Sequence, residues 1–599
     1  MLMSSHYAKR QDLEHVCNTN MKTGKKKSCY LYSNRGLLIN FTMNRLALLS
    51  IFCFGFDFAF SQPSPVSIQV EASKPVGEMK PFWSFFGYDE PNYTTRKDGQ
   101  KLLTELKQLS PATVYVRTHN LLTSKGNSRG PDLKWGFTDA YREDKKGNPV
   151  YNWTIVDSIV DTYLQLGVKP LMEIGFMPKD LSAKPEPYEH TWSKGGNLWT
   201  GWTYPPKDYT KWRELVYQWV KHSVERYGKE EVTTWLWEVW NEPDIPYWSG
   251  TFEEYCKLYD YAADGLKRAC PECTIGGPHT TSPRSDKAYS YLTRFIEHCL
   301  RGKNYATGKT GTPLEYIGFH AKGSPEFVNG NIRMNMGVQL KDIQRGFEAV
   351  NSFPELKNIP VIIGECDPEG CAACSEKRDP KFGYRNGTMY SSYTAASFAR
   401  IFELMDQHQV NLKGAVSWSF EFENQEWFAG FRDLATHGVD KPVLNVFRMF
   451  GMMSGQRVHV QSENGLSAAD IIANGVRERN DIYAIASNDQ HSVSVMVWNY
   501  HDDNVAGASS SVELNINGIG GNKVLVHHYR VDDQFSNSFE KWKHLGSPQQ
   551  VTAEQYQELG RAGQLGLYTS PEWIETNNRQ AVLKFDLPRQ GVSLIRLTW

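Results

Sequence analysis

Between Phe82 and Phe420 the chain carries eight short apolar runs, each followed by a stretch of helical periodicity, and this alternation constrains the fold more than any other feature. The runs are Phe82 to Tyr88, Thr113 to His119, Lys169 to Phe176, Thr234 to Trp240, Thr274 to Pro278, Tyr316 to His320, Pro360 to Glu365 and Gly414 to Phe420. Strands joined by helical crossovers return in the same direction and pair in parallel. Between the third and fourth runs, Tyr209, Trp212, Val216, Trp219, Val220 and Tyr227 share one helical stripe that stops at Gly228. After the fourth, Thr251 and Glu254 make a capping box for a helix running through Arg268. Eight such repeats predict an α/β fold, a (β/α)8 TIM barrel over residues 82–450, whose site gathers at the C-terminal strand ends.

Past Gly451 the character changes to short alternating segments, among them Ile482 to Ala486, Ser492 to Trp498 and Val592 to Leu597. They predict an accessory C-terminal antiparallel β-sandwich over 451–599. Residues 62–81 are read as an N-terminal strand segment, with Val66 to Glu71 joining the sandwich. Upstream, Met43-Asn44-Arg45 followed by Leu46 to Phe54, with Ala59-Phe60-Ser61 before Gln62, has the order of a signal peptide over 43–61. Export to the periplasm or the medium is the expectation. The apolar stretch is shorter than the ~20 residues of a membrane span, so no membrane insertion is expected once it is removed. Residues 1–42, with Lys25-Lys26-Lys27 and no apolar period, are read as an upstream or disordered segment, and Met43 as the start.

Net charge is −1, from 66 basic and 67 acidic residues, which leaves no electrostatic footprint for a nucleic acid or an anionic membrane surface. The 18 tryptophans suit a site that stacks on the apolar faces of sugars, though most such rings belong to cores. Two loops are long: 178–206, rich in Trp and Tyr, is expected to wall a pocket, and 366–391 to cover Glu365. Cys270-x-x-Cys273 and Cys371-x-x-Cys374 admit a four-thiolate zinc site. The pairs lie far apart and the second follows Glu365 closely, so local disulfides or free thiols are expected, and no metal or cofactor. Past residue 61 the cysteine count is odd, so at least one thiol is left over.

If the barrel forms, each strand should end in chemistry. Asp89 follows the first run; Arg117, His119 and Asn120 close the second, Asn241 and Glu242 the fourth, and His279 the fifth. His320 and Lys322 close the sixth, Glu365 and Asp367 the seventh, Trp418 and Glu421 the eighth. A lone Glu is more often a solvated charge, and a lone His a core or capping residue; recurrence at the same end of successive strands favours a functional group. Two glutamates so placed are what a retaining glycosidase needs, one to protonate the leaving oxygen and one to attack the anomeric carbon. The strand-end rule assigns Asp89, His119, Asn241, His279, His320, Lys322 and Trp418 to substrate binding, with Arg432 as an assisting cation.

The motifs Val116-Arg117-Thr118-His119, Trp240-Asn241-Glu242-Pro243-Asp244, Gly276-Gly277-Pro278, His320-Ala321-Lys322-Gly323 and Glu365-Cys366-Asp367-Pro368, in this order, resemble glycoside hydrolase family 39. That family holds β-xylosidases and α-L-iduronidases, and the resemblance runs from about Phe82 through the sandwich. It implies that Glu242 is the acid/base, Glu365 the nucleophile and Asn241 a donor to the sugar 2-hydroxyl. The two carboxyl groups should then stand ~5 to 5.5 Å apart, the separation that goes with a covalent glycosyl-enzyme and net retention. Glu242 should rest protonated and Glu365 ionised, with His320 or Arg117 holding the latter down.

The expected partner is an oligosaccharide or polysaccharide. A β-D-xyloside and an α-L-iduronide share ring stereochemistry over the first four carbons and differ by a carboxylate on the fifth. Lys322 is therefore the discriminating residue: a carboxylate clamp in a uronidase, or an ion-pair partner of Glu421 or Glu423 in a xylosidase. Gly430-Phe431-Arg432-Asp433-Leu434 and Gly438-Val439-Asp440-Lys441-Pro442 look more like the xylosidase branch, so exo-acting release of terminal β-D-xylose is the favoured reading. A uronidase, an endo-acting glycanase, a non-catalytic carbohydrate-binding barrel and a zinc-stabilised scaffold are the alternatives. The resemblance also allows a homo-oligomer, although no self-complementary patch stands out.

Overall fold

The structure, a computed structural model, describes residues 64–126, 135–192, 196–418, 421 and 424–599. The segment 1–42 and the signal peptide over 43–61 lie outside the described residues. Eight parallel strands close a barrel: β2 (Phe85–Tyr88), β3 (Tyr115–Thr118), β4 (Lys169–Ile174), β5 (Leu236–Val239), β6 (Thr274–Thr280), β7 (Tyr316–Lys322), β8 (Val361–Asp367) and β9 (Leu412–Trp418). Each overlaps one of the eight apolar runs. The helices that follow them are α1 (Lys97–Gln108), α2 (Thr154–Gln165), α3 (Tyr209–Tyr227), α4 (Phe252–Ala269), α5 (Asp286–Arg301), α6 (Met336–Asn351), α7 (Thr388–His408) and α8 (Pro442–Gly451).

Local sequence explains the helix ends. The Asp208 carboxylate accepts from the Thr210 and Lys211 amides at the start of α3, and Gly228, at φ 86°, ends it. Thr251 and Glu254 form the reciprocal capping box of α4. The stripe of Trp212, Val216, Trp219 and Val220 is buried. Every residue of β7 and β8 is buried, as parallel strands covered on both faces must be.

Inside the barrel, Phe85, Leu171, Leu236, Tyr316, Ile362 and Val416 pack into one apolar layer with Trp418. Side chains two residues apart share a face of a strand. Two positions beyond Leu171, Leu236 and Tyr115 come Glu173, Glu238 and Arg117, so the apolar layer is followed toward the C-terminal strand ends by a charged one.

The accessory sheet contains β1 (Val66–Glu78), β10 (Gln456–Ser462), β11 (Asp481–Asn488), β12 (Ser492–Tyr500), β13 (Ser510–Asn517), β14 (Lys523–Val531), β15 (Gly566–Leu567), β16 (Glu572–Glu575), β17 (Gln580–Leu587) and β18 (Val592–Thr598). Their order is β15-β14-β18-β12-β11-β10-β1-β13-β17, with β16 paired to β14. All pairings are antiparallel except that of β1 with β13, where Val66 stands opposite Val512. The sheet folds over on itself, so that β14, next to one end, and β17, at the other, meet through the rings of His528 and Phe585, 4.9 Å apart. Ile68, Val458, Val495, Leu514, Val524 and Ile595 share the core between. The sheet docks on the barrel through α7, whose buried Arg400 bonds Asp481 of β11 at 3.0 Å. The indole of Trp498 donates to the same carboxylate at 2.8 Å, so the buried charge is fully engaged.

Candidate active site

A cavity of about 180 Å³ opens at the C-terminal end of the barrel, and Glu242 and Glu365 both line it. Glu242 follows β5 through a turn in which Trp240 (φ 72°) and Glu242 itself (φ 45°) occupy the left-handed region, a conformation found mainly where surrounding structure enforces it. Its amide donates to the His279 carbonyl at 3.0 Å, which anchors the turn. Glu365 lies within β8. A carboxylate oxygen of Glu242, one of Glu365 and a ring nitrogen of His320 all lie within 4.8 Å of one another. Retaining glycosidases hold their carboxyl groups about 5–5.5 Å apart and inverting ones roughly 6.5–9.5 Å, and oxygens this close suit the shorter arrangement.

The two carboxyls are driven apart in acidity. Burial raises Glu242 well above the ordinary carboxylate range, and the neighbouring charge of Glu365 adds to the effect. Burial would raise Glu365 too, but the Lys322 ammonium foremost, with the Arg117 guanidinium, brings it well below that range. The result is one protonated and one ionised glutamate facing the same space. His320, whose Nδ1 is 2.9 Å from Glu242, is kept neutral by burial. These three atoms could approach a shared cation, but a protonated glutamate and an imidazole already bonded to it make a poor ligand set, and Lys322 and Arg117 already neutralise Glu365.

Beneath the cavity lies the charged layer. Arg117, fully buried, donates from Nε to Glu238 at 2.7 Å, from Nη1 to Glu365 at 3.2 Å and from Nη2 to Asn241 at 3.0 Å. Asn241 accepts through its carbonyl oxygen, which leaves its amide to point at a ligand. Glu173, 3.4 Å from Arg117 and 3.0 Å from His119, is pushed far up in pKa by burial.

Of the residues assigned to substrate from strand ends, Asp89, His119, Asn241, Lys322 and Trp418 line the cavity. His119 bonds Asp89 at 2.9 Å and sits against the Trp418 ring, with centroids 4.2 Å apart. Three others do not line it. His279 is buried below, its Nε2 2.7 Å from a Glu238 carboxylate oxygen. His320 is wholly buried behind the two glutamates and reaches a ligand only through them. Arg432 is also wholly buried, donating to the Trp418 carbonyl at 2.9 Å and to Glu369 at 2.6 Å. Lys322 pairs with neither Glu421 nor Glu423: its ammonium donates to Glu365 and, at 2.8 Å, to Asp367. Glu421 instead accepts from the Gly438 amide, and Glu423 lies outside the described residues.

Sequence reasoning missed Trp135 and Tyr247, which join Trp418 in the lining; both stand in loops without periodicity. Among the described residues of 178–206, none lines the cavity. That loop backs the wall instead, Tyr188 packing edge-on against Tyr247 with centroids 5.7 Å apart. Glu173 and Glu238 were also missed, although a charge inside an apolar strand is a legible sign of a buried ion network. Gly370, Ala372 and Ala373 of the 366–391 loop do line the cavity beside Glu365. The zinc reading fails on geometry: Cys270 and Cys273 are bridged to each other ahead of β6, and Cys371 and Cys374 are bridged beyond the end of β8, at opposite mouths of the barrel. Cys256, Cys299 and Cys366 are free and buried.

The family model described as glycosyl hydrolases family 39 matches residues 66–569. The chain is 26% identical to a β-xylosidase of Caldicellulosiruptor saccharolyticus over 547 residues, covering 89% of this chain and 98% of that protein. It is 23% identical to an α-L-iduronidase of Homo sapiens over 566 residues, covering 86% and 76%. Among solved structures, a monomeric β-xylosidase from Caulobacter crescentus CB15 matches with a TM-score of 0.67 at 20% identity, over 89% of this chain and 99% of that one; at that identity the likeness carries the fold.

Proposed function

This chain belongs to glycosyl hydrolase family 39 and is a glycosidase, and from that premise we propose that it releases terminal β-D-xylose from oligosaccharides with retention of configuration. The observation that carries the mechanism is the pair of carboxyls: oxygens within 4.8 Å, one glutamate held protonated and the other ionised. Glu365 attacks the anomeric carbon while Glu242 passes its proton to the departing oxygen, so the glycosidic bond breaks as the glycosyl-enzyme ester forms. Glu242, now a carboxylate, takes a proton from water as the water's oxygen attacks the same carbon, and Glu365 departs ionised. The Asn241 amide faces the sugar 2-hydroxyl, and Trp418 offers a flat face to the ring.

The choice of a neutral sugar rests on Lys322. Its ammonium is already taken by Glu365 and Asp367, and Arg432 by Asp367 and Glu369, so neither of these two cations is left waiting for an anion. A cavity of about 180 Å³ is smaller than the roughly 300–1,000 Å³ of common ligand pockets, which suits one terminal ring and exo action. The second reading, an α-L-iduronide or other uronide, is favoured by one observation: Lys322 lines the cavity and could exchange Asp367 for a substrate carboxylate. Export belongs to the same proposal and rests on the Met43 to Ser61 segment. The test compares hydrolysis of an aryl β-D-xyloside with that of an aryl α-L-iduronide, with Glu365→Ala as the blank. Xyloside turnover absent from the blank supports the xylosidase; iduronide turnover alone overturns it in favour of the uronidase.

A further inference from the structure

The Cys371–Cys374 bridge encloses Ala372 and Ala373, and those two residues line the catalytic cavity. The four-residue turn is weakly closed by its own backbone: the Cys374 amide reaches the Cys371 carbonyl at 3.4 Å, beyond the ~2.7–3.2 Å of an ordinary bond. The covalent link therefore does what a backbone hydrogen bond does in other turns. The turn is also clamped from behind. The buried Arg385 guanidinium donates to the carbonyls of Cys371 at 2.7 Å and Cys374 at 2.6 Å, and the Arg432 amide donates to the Ala372 carbonyl at 3.0 Å. These carbonyls converge on Arg385 only while the turn keeps its shape. On the cavity side, Ala372 packs in the same cluster as Trp418 and Phe85.

We propose that the Cys371–Cys374 disulfide is a positioning cross-link of the sugar site, and that opening it weakens substrate binding while leaving the chemical step intact. It rests on this cavity being the one that holds the sugar. With dithiothreitol as the reductant, the sulfur–sulfur bond breaks, Cys371 and Cys374 each gain a hydrogen, and the reagent closes to its cyclic disulfide, a two-electron, two-proton exchange. The freed turn loses its fit to Arg385, and Ala372 and Ala373 no longer hold one position against the ring. Glu242 and Glu365, set by β5, β8 and Arg117, stay in place, so the effect falls on KM more than on kcat. Cys270–Cys273, at the other mouth of the barrel, supplies an internal control.

The experiment uses the full chain with an aryl β-D-xyloside, comparing wild type, Cys371→Ser/Cys374→Ser and Cys270→Ser/Cys273→Ser, and wild type before and after dithiothreitol with the thiols counted by alkylation. KM is expected to rise about tenfold with kcat within about twofold for the first variant and for reduced wild type, and to stay put for the second variant. Hydrogen exchange at the Arg432 amide is read in parallel and should quicken when the bridge opens. Unchanged KM with unchanged exchange in fully reduced protein, or a fall in kcat alone, overturns the inference. If wild type does not turn over the xyloside, it is the xylose reading that fails, and exchange at Arg432 then decides the cross-link by itself.

Discussion

Lys322 lays its ammonium against Glu365 with Asp367 2.8 Å away, so the carboxylate proposed as the nucleophile is held ionised by a cation that a second carboxylate holds in place. The arrangement has a cost in nucleophilicity and a gain in protonation state. Burial pushes Lys322 toward losing its proton, and Asp367 and Glu365 more than reverse that, so the ammonium persists.

The pH profile should report this directly. Lys322 is the foremost group lowering Glu365; without it the carboxylate accepts a proton more readily, and the inactive, protonated form appears at higher pH. In Lys322→Met the acid limb of kcat/KM is expected to move upward relative to wild type. A limb that stays where it was would mean that Lys322 does not set the Glu365 charge.

Glu242→Gln should separate acid catalysis from attack. The variant is expected to lose about 10²–10⁴ in kcat/KM on an aryl glycoside with a poor leaving group, and far less on a dinitrophenyl glycoside, whose departure needs no proton. Because burial and Glu365 raise Glu242, activity in wild type falls as pH rises through its pKa, and this alkaline limb should vanish in the variant. Equal losses on both substrates would place Glu242 outside proton transfer.

Arg117 neutralises Glu238 and Glu365 within a fully buried layer. Arg117→Met leaves those charges without their cation, and stability in urea should fall by about 3–5 kcal/mol. Adding Glu238→Gln removes one stranded charge and should recover part of the loss. A double variant no more stable than the single would argue that packing of the Arg117 stem, not its charge, is what is lost.

Glu421 is a carboxyl held by burial at a pKa of about 8, with one oxygen accepting from the Gly438 amide and the other without a partner among the described residues. A carboxyl whose folded pKa exceeds its unfolded value near 4.5 binds its proton more tightly in the folded state. Its destabilisation therefore begins above the unfolded pKa, grows to about pH 8 and levels off. Glu421→Gln keeps the acceptor and abolishes the charge, so it should match wild type near pH 4 and exceed it above pH 8 by on the order of a few kcal/mol. Chemical denaturation at the two pH values measures this, and a stability difference independent of pH would contradict it.

The eight strands were legible because each is a short apolar run set off by a helix period, a signal carried by residues a few positions apart. Glu242 and Glu365 were legible for the same reason, as charges closing such runs. His279 and Arg432 were misread because a polar side chain at a strand end can turn to a ligand or to a buried partner, and nothing local distinguishes the two. Trp135 and Tyr247 were invisible because loop residues reach the cavity by paths with no period.

From its sequence alone the chain determined the succession of strands and helices, their caps, and which carboxylates reach the open end of the barrel, since those follow from side-chain periodicity and local hydrogen bonding. Tertiary structure decided who meets whom. Parallel strands joined by helices have no tight turn to set their register, so the pairing of Lys322 with Asp367 across β7 and β8 comes only from closure of the barrel. The same closure brings Arg117 of β3 to Glu238 of β5 and Glu365 of β8, and in doing so helps set Glu242 and Glu365 apart in acidity.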